Sequence, residues 1–134
     1  MSFKATWFRE RLAKKARKGF QGYPVASVAY YGPTATTATK VAVGITLAEG
    51  AETGPLERWY SDQVDARSNS EVTEEIVHFL QRFNVKSVVA PDRIIGCPHE
   101  EGLDYPEGEQ CKACPYWLDR DRFTGQLLGS RGEA

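Results

Sequence analysis

The fold is decided by two strand-like runs, VASVAYY at residues 25–31 and KVAVGITL at residues 40–47. In the second run valine, isoleucine and leucine alternate with small or polar residues, which is the period of a strand with one buried face. The segment between them, GPTATTAT, is typical of a loose hairpin loop. The sequence therefore predicts an antiparallel hairpin, extended to a meander by a third strand over residues 56–61.

A helix is predicted after the meander. Its apolar residues recur at helical spacing: Val72, Ile76, Phe79, Leu80 and Phe83. Ser68 and Glu71 have the spacing of a capping box, which predicts the start of the helix, and Asn84 is a candidate left-handed residue at its end. A short buried strand, Val85 to Ala90, follows, and Pro91 ends it.

An amphipathic helix is predicted over residues 3–18, with Gly19 ending it. Its apolar side carries Phe3, Trp7, Phe8, Leu12 and Ala16. Residues 1–22 hold seven basic side chains against Glu10, a local charge of +6, whereas the remaining chain carries −7. The candidate anion-binding residues are Arg9, Arg11, Lys14, Lys15, Arg17 and Lys18. They can form a solvated face, or bind nucleic acid or another acidic partner; a membrane-surface or targeting role is the weaker alternative.

The elements predict an α+β protein: a helix, a meander, a second helix, a strand and an irregular C-terminal section. We expect one domain over residues 1–118, with a metal-binding section at 94–118, and a flexible tail at 119–134. No stretch has the roughly 18 apolar residues of a membrane helix, and residues 1–4 lack the apolar region of a secretion signal. We therefore expect a soluble, cytoplasmic protein without a membrane partner.

The order of these elements is similar to the opening topology of ribonuclease H-like folds. That resemblance implies shape alone. Those nucleases hold divalent metals with converging carboxylates, and residues 25–31 contain none.

The chemistry-bearing residues are concentrated near the C-terminus. All three cysteines lie within eighteen residues, in GCPH at 96–99 and CKACPYW at 111–117. In an extended segment Cys97 and His99 project from one face, and Cys111 and Cys114 have the spacing of a metal knuckle. A type I turn over residues 105–108 would bring the two pairs together. The sequence therefore predicts a Cys3His metal site.

Three thiolates and one imidazole suit tetrahedral zinc, and the same donors also suit iron. Two readings without zinc remain open, namely reduced thiols and a Cys111/Cys114 redox pair. Five acidic residues lie between Cys97 and Cys111, and three of them, Glu100, Glu101 and Asp104, are candidates to orient His99 from outside the metal shell. They could equally form a solvated loop or bind a basic partner.

The motifs GCPHEEG at 96–102, DYP at 104–106 and CKACPYW at 111–117 resemble those of an uncharacterised family of bacterial proteins. The resemblance is strongest over residues 94–123 and weaker over residues 23–47. It implies a shared site and no assigned activity.

The leading hypothesis is a small zinc-binding domain with a structural Cys3His centre, acting as a binding or regulatory module that contacts nucleic acid at the basic helix or protein at the acidic loop. One competing hypothesis is a zinc hydrolase, in which three residues hold the metal, water takes the fourth position, and Glu100 or Glu101 is the general base. The other is a CxxC thiol redox protein. Four protein ligands indicate a structural site, and three with water a catalytic one.

Overall fold

A four-stranded sheet forms the centre of the protein in the computed structural model, which describes residues 10, 12, 14–52, 54–90 and 93–118. Its strands are β1 (Val25–Tyr31), β2 (Lys40–Thr46), β3 (Leu56–Tyr60) and β4 (Ser87–Val89). The strand order is β3-β2-β1-β4; β1, β2 and β3 form the antiparallel meander, and β4 is parallel to β1. The predicted α+β class and meander are confirmed, although Leu47 and Ser61 lie outside the strands and β4 is shorter than predicted.

Helix α1 (Ser70–Arg82) covers one face of the sheet. The alternating apolar residues of β1 and β2 supply that face: Ala26, Val28, Val41, Val43 and Ile45, each at most 2% exposed. Ile76, Phe79 and Leu80 of α1 complete the core. By alternation the opposite face, here called the outer face, carries Ala42 and Gly44 of β2 and Arg58 of β3. The outer face is where the strands meet the C-terminal section.

The start of α1 differs from the prediction. Asn69 is the N-cap, and its side-chain oxygen accepts hydrogen bonds from the amides of Glu71 and Val72 at 3.0 and 3.2 Å. Ser68 instead ends a 3-10 helix, η1 (Ala66–Ser68), in which its amide donates to the carbonyl of Asp65. The predicted position of the N-cap, Ser68, was therefore wrong by one residue. At the other end Asn84 has a φ of 53°, as predicted.

The N-terminal helix is described only in part. Residues 14–18 are helical, and Gly19 follows with a φ of 71° and an amide that donates to the carbonyl of Ala16. Leu12 and Ala16 pack against the core. Residues 3–9, 11 and 13 of the predicted helix, which include Arg9 and Arg11, and the predicted tail at 119–134 lie outside the described residues.

Candidate metal centre

The first ligand pair is attached to the end of β1. The amide of Ile95 donates to the carbonyl of Tyr30 at 3.0 Å, and the amide of Gly32 donates to the carbonyl of Gly96 at 2.9 Å. Residues 94–99 are not part of a strand. The two hydrogen bonds hold this segment in place instead, and they position Cys97 and His99 beside the sheet.

The second ligand pair is anchored by Trp117. Cys111 and Cys114 precede the 3-10 helix η2 (Pro115–Trp117), in which Pro115 occupies the first turn. The indole of Trp117 is 4% exposed and donates to the carbonyl of Gly32 at 2.8 Å. Both ligand pairs are thus tied to Gly32, where a Cβ atom would lie 1.8 Å from the carbonyl oxygen of Thr37. Only glycine fits this position.

The turn between the pairs is shifted by one residue from the prediction. The amide of Glu109 donates to the carbonyl of Pro106 at 3.2 Å, and Gly108 has a φ of 88°. Pro106 is therefore the first residue of the turn, and Gly108 is the third. A positive φ at the third position is the requirement of a type II turn, and glycine meets it without strain.

The structure brings the four predicted ligands together. Their ligand atoms, one from each of Cys97, His99, Cys111 and Cys114, all lie within 4.8 Å of one another. His99 Nδ1 is 3.4 Å from Cys111 Sγ and 3.5 Å from Cys114 Sγ. Zinc bonds of about 2.05 Å to nitrogen and 2.3 Å to sulfur give a tetrahedral N···S edge of about 3.5 Å. The cluster can hold one metal ion.

Burial makes the thiol of Cys114 dependent on a cation for ionisation. Cys97, Cys111 and Cys114 are 1%, 5% and 3% exposed. Burial, followed by the neighbouring sulfurs of Cys97 and Cys111, raises the pKa of Cys114 to about 12. A thiolate at this position is unfavourable without a positive charge among the sulfurs, and a bound metal ion supplies that charge.

The acidic residues predicted around His99 brace its loop. Asp104 accepts a hydrogen bond from the amide of Glu100 at 2.7 Å, and Glu101 accepts one from the amide of Gly108 at 2.7 Å. The Glu100 carboxylate binds Arg58 of β3, with Nε at 2.6 Å and Nη2 at 2.9 Å. These hydrogen bonds fix the loop that carries His99, and the contacts of Glu100 tie it to the sheet.

Lys40 is a site residue that the sequence analysis missed. It is 3% exposed, and its ammonium donates to the carbonyl of Pro98 at 2.9 Å and to Glu100 at 2.6 Å. Its Nζ also lies over the rings of Tyr31 and Tyr60, at 5.5 and 5.8 Å from their centroids. The pairing of the strands indicates the contact with the two rings, because Lys40 lies opposite Tyr31 on one side and Tyr60 on the other.

The polar segment after β3 is also ordered by charge. Asp65 accepts from the amide of Ala38 at 2.9 Å and binds Arg67 through both carboxylate oxygens at 2.8 Å. The hydrogen bond from Arg67, with the amides of Ala38 and Arg67, lowers the pKa of Asp65 to about 2. Asp65 thereby fixes the hairpin loop next to the small apolar core that contains Ala38, Ala66 and the three cysteines.

Three of the four described basic residues of the N-terminal segment lie beside α1. Lys14, Lys15 and Lys18 line a groove of about 590 Å³ together with apolar side chains that include Val77 and Leu80. Arg17 is exposed. This groove and the metal cluster have no lining residue in common.

Comparison with known protein families, with curated proteins and with solved structures finds no match to this chain. The resemblance of residues 94–123 to a bacterial family therefore stays a prediction. Within the described ranges, no helix has both the length and the apolar character needed to cross a membrane.

Proposed function

We propose that this protein is a zinc-binding domain whose Cys3His centre is structural and whose role is recognition of a partner. The observation that carries the proposal is the convergence of four protein ligand atoms, with N···S distances that match a tetrahedral site. Three sulfurs and an imidazole nitrogen favour zinc over the oxygen-seeking ions magnesium and calcium.

A site with four protein ligands is favoured over a hydrolytic site by the lowered pKa of Glu100. A general base works best with a pKa near the operating pH, whereas hydrogen bonds from Arg58 and then Lys40 lower the pKa of Glu100 below its ordinary value. Glu100 is thus a poor base. The redox alternative is disfavoured by burial, because all three cysteines are buried, whereas reactive cysteines lie at partly exposed positions.

The zinc ion would act as a cross-link for a section with little regular structure of its own. Among the described residues from 93 to 118, the regular elements are η2 and one isolated bridge between Glu101 and Tyr105. The small core beneath them includes Ile94 and Trp117. A structural zinc contributes about 10–16 kcal/mol, comparable with the total stability of about 5–15 kcal/mol of a domain.

The partner we propose is nucleic acid, bound at the basic N-terminal segment. Four of the five residues from 14 to 18 are basic, and three of them line the groove beside α1. Clustered lysines and arginines bind phosphates with an affinity that falls steeply as salt rises. Replacement of Lys15 and Lys18 by Gln should weaken binding of a duplex oligonucleotide and flatten its salt dependence, whereas Lys86→Gln should not. An oligonucleotide affinity that changes neither with salt concentration nor with these substitutions would indicate a protein partner instead.

Metal analysis of the purified full-length chain tests the centre. We expect one zinc per chain, and after exchange with cobalt an absorption spectrum of a tetrahedral thiolate site. His99→Ala should lose the metal or change this spectrum, and His78→Ala is the matched control, since His78 is the other histidine and lies exposed on α1. Absence of stoichiometric zinc together with unchanged folding in chelator would refute the proposal.

A further inference from the structure

A cavity of about 380 Å³ lies between the outer face of the sheet and the loop that carries Cys97 and His99. Ala42 and Leu56 of the sheet line it, as do the rings of Tyr31 and Tyr105. Leu56 is 50% exposed, which leaves an apolar surface open to an occupant. Cavities of this volume and mixed lining are typical of sites for small organic molecules.

The charged group that distinguishes this cavity is the guanidinium of Arg58. Glu100 binds it through Nε and Nη2, which together form one edge of the planar fork. A guanidinium carries five N–H donors, and the edge formed by Nη1 and Nη2 is a second bidentate donor. Within the described residues, the hydrogen bonds of Arg58 all go to Glu100. The second edge of Arg58 is therefore available to a ligand, and Glu100 orients it beforehand.

The N–H donors at Glu100 favour an anionic ligand. The carboxylate of Glu100 is shared by two cations, Arg58 and the buried Lys40, so that neither cation has a carboxylate of its own. A second carboxylate of the lining, Glu101, is directed to the amide of Gly108 at 2.7 Å. Arg58 is the more exposed of the two cations, with 36% of its side chain open to solvent against 4% for Lys40.

We propose that this cavity binds a small organic anion: a carboxylate or a phosphate monoester attached to a ring or a short aliphatic body. The second edge of Arg58 binds the forked oxyanion, and Leu56, Ala42 and the two tyrosine rings contact the body. The site rests on the proposed function in one respect, because the metal centre holds the loop that forms one wall. The two oxyanions share one chemistry at Arg58, and different probes distinguish them.

The test uses the zinc-loaded full-length chain, with benzoate and phenyl phosphate as separate probes in a titration followed by amide chemical shifts. We expect saturable binding of at least one probe, with the shifts centred on residues of the cavity. Arg58→Gln removes the donor edge and leaves Lys40 on Glu100, and Ala42→Leu fills the cavity. Each should weaken binding by about tenfold or more.

Two controls match these substitutions. Arg82→Gln removes an exposed arginine on α1, and Ser27→Leu adds a leucine at an exposed position of the same sheet face, away from the cavity lining. Both variants should bind the probe as the parent does. Binding of benzoate alone would assign a carboxylate, and binding of phenyl phosphate alone a phosphate ester.

Three results would overturn the inference: neither probe shifts the cavity residues, Arg58→Gln binds as tightly as the parent, or the controls weaken binding equally. Zinc content measured on the same samples separates this result from the proposed function. A zinc-loaded chain without probe binding refutes the cavity alone, whereas a zinc-free chain that still binds the probe refutes the structural zinc and retains the cavity.

Discussion

The ammonium of Lys40 donates a 2.9 Å hydrogen bond to the carbonyl oxygen of Pro98, the residue between the candidate ligands Cys97 and His99. The same ammonium binds Glu100, on the other side of His99. One buried side chain of β2 thus holds the loop on both sides of His99. The geometry of the first ligand pair depends on a strand more than fifty residues away.

We expect Lys40→Met to weaken zinc binding by about 10- to 100-fold, the usual cost of losing a partner outside the metal shell. Methionine keeps the length of the side chain but leaves the Pro98 carbonyl and Glu100 without the ammonium. A competition titration with a chromophoric chelator measures the affinity. Lys86→Met, at an exposed lysine next to β4, is the control and should bind zinc as the parent does. Equal affinities in all three proteins would contradict the prediction.

Gly32→Ala should destabilise the protein by about 2–3 kcal/mol, because overpacking at a site without room forces the backbone to move. The added Cβ would lie 1.8 Å from the carbonyl oxygen of Thr37. Urea unfolding followed by circular dichroism measures the loss. Gly44→Ala serves as comparison, since a Cβ there meets only Leu56 Cδ1 at 3.6 Å. A Gly44→Ala variant as unstable as Gly32→Ala would show that close contact is not the cause.

Removal of zinc by a chelator should loosen residues 94–118 before the sheet. Hydrogen exchange at the amides of Gly32 and Ile95, which bond the metal section to β1, should accelerate. Exchange at Val28 and Val43, which are paired in the β1–β2 ladder, should change much less. Uniform acceleration of all four amides would mean that zinc stabilises the whole protein as one unit. No change at Gly32 and Ile95 would mean that the section holds without metal.

Asp65 should make stability depend on pH between about 4 and 2. The pKa of Asp65 in the folded protein is about 2, below its ordinary value of 3.8. Above pH 3.8 the charged carboxylate therefore stabilises the folded state. This contribution is lost as the pH falls through about 2. We expect about 1–2 kcal/mol after allowance for solvent screening. Asp65→Asn should flatten this part of the curve of unfolding free energy against pH. Asp62→Asn, at an exposed position, is the control and should leave the slope of that curve unchanged. Metal loss at low pH affects the parent and both variants alike, so it cancels in the comparison.

The elements that the sequence predicted correctly are those governed by local periodicity. The alternation in residues 40–47 needs no tertiary information to indicate one buried face, and the structure buries Val41, Val43 and Ile45 as expected. The four candidate ligands were likewise predictable. The two-residue gap between cysteines is visible in the sequence alone, and one histidine brings the number of candidate ligands to four. The start of α1 was not predictable in detail, since Ser68 is taken up by a 3-10 turn that depends on Asp65.

The rest of the site could not be predicted because it depends on contacts across the sheet. Lys40 looks like a solvated residue at the start of a strand, and its burial follows only when the loop after β4 is placed over the outer face. Arg58 and Glu100 are forty-two residues apart, and neither carries a local signal for the other. Buried charges of this kind are identified by their partners rather than by their neighbours in sequence.

Gly32 forms hydrogen bonds to both halves of the metal section, through its amide to Gly96 and through its carbonyl to the indole of Trp117. Neither half can detach without disturbing the residue that fastens the other. Metal capture and release should therefore be all-or-none over residues 94–118, with no stable form in which one ligand pair is docked and the other is loose. A sensor built on this chain would report one transition, in which both halves respond together along an ordinary one-site binding curve.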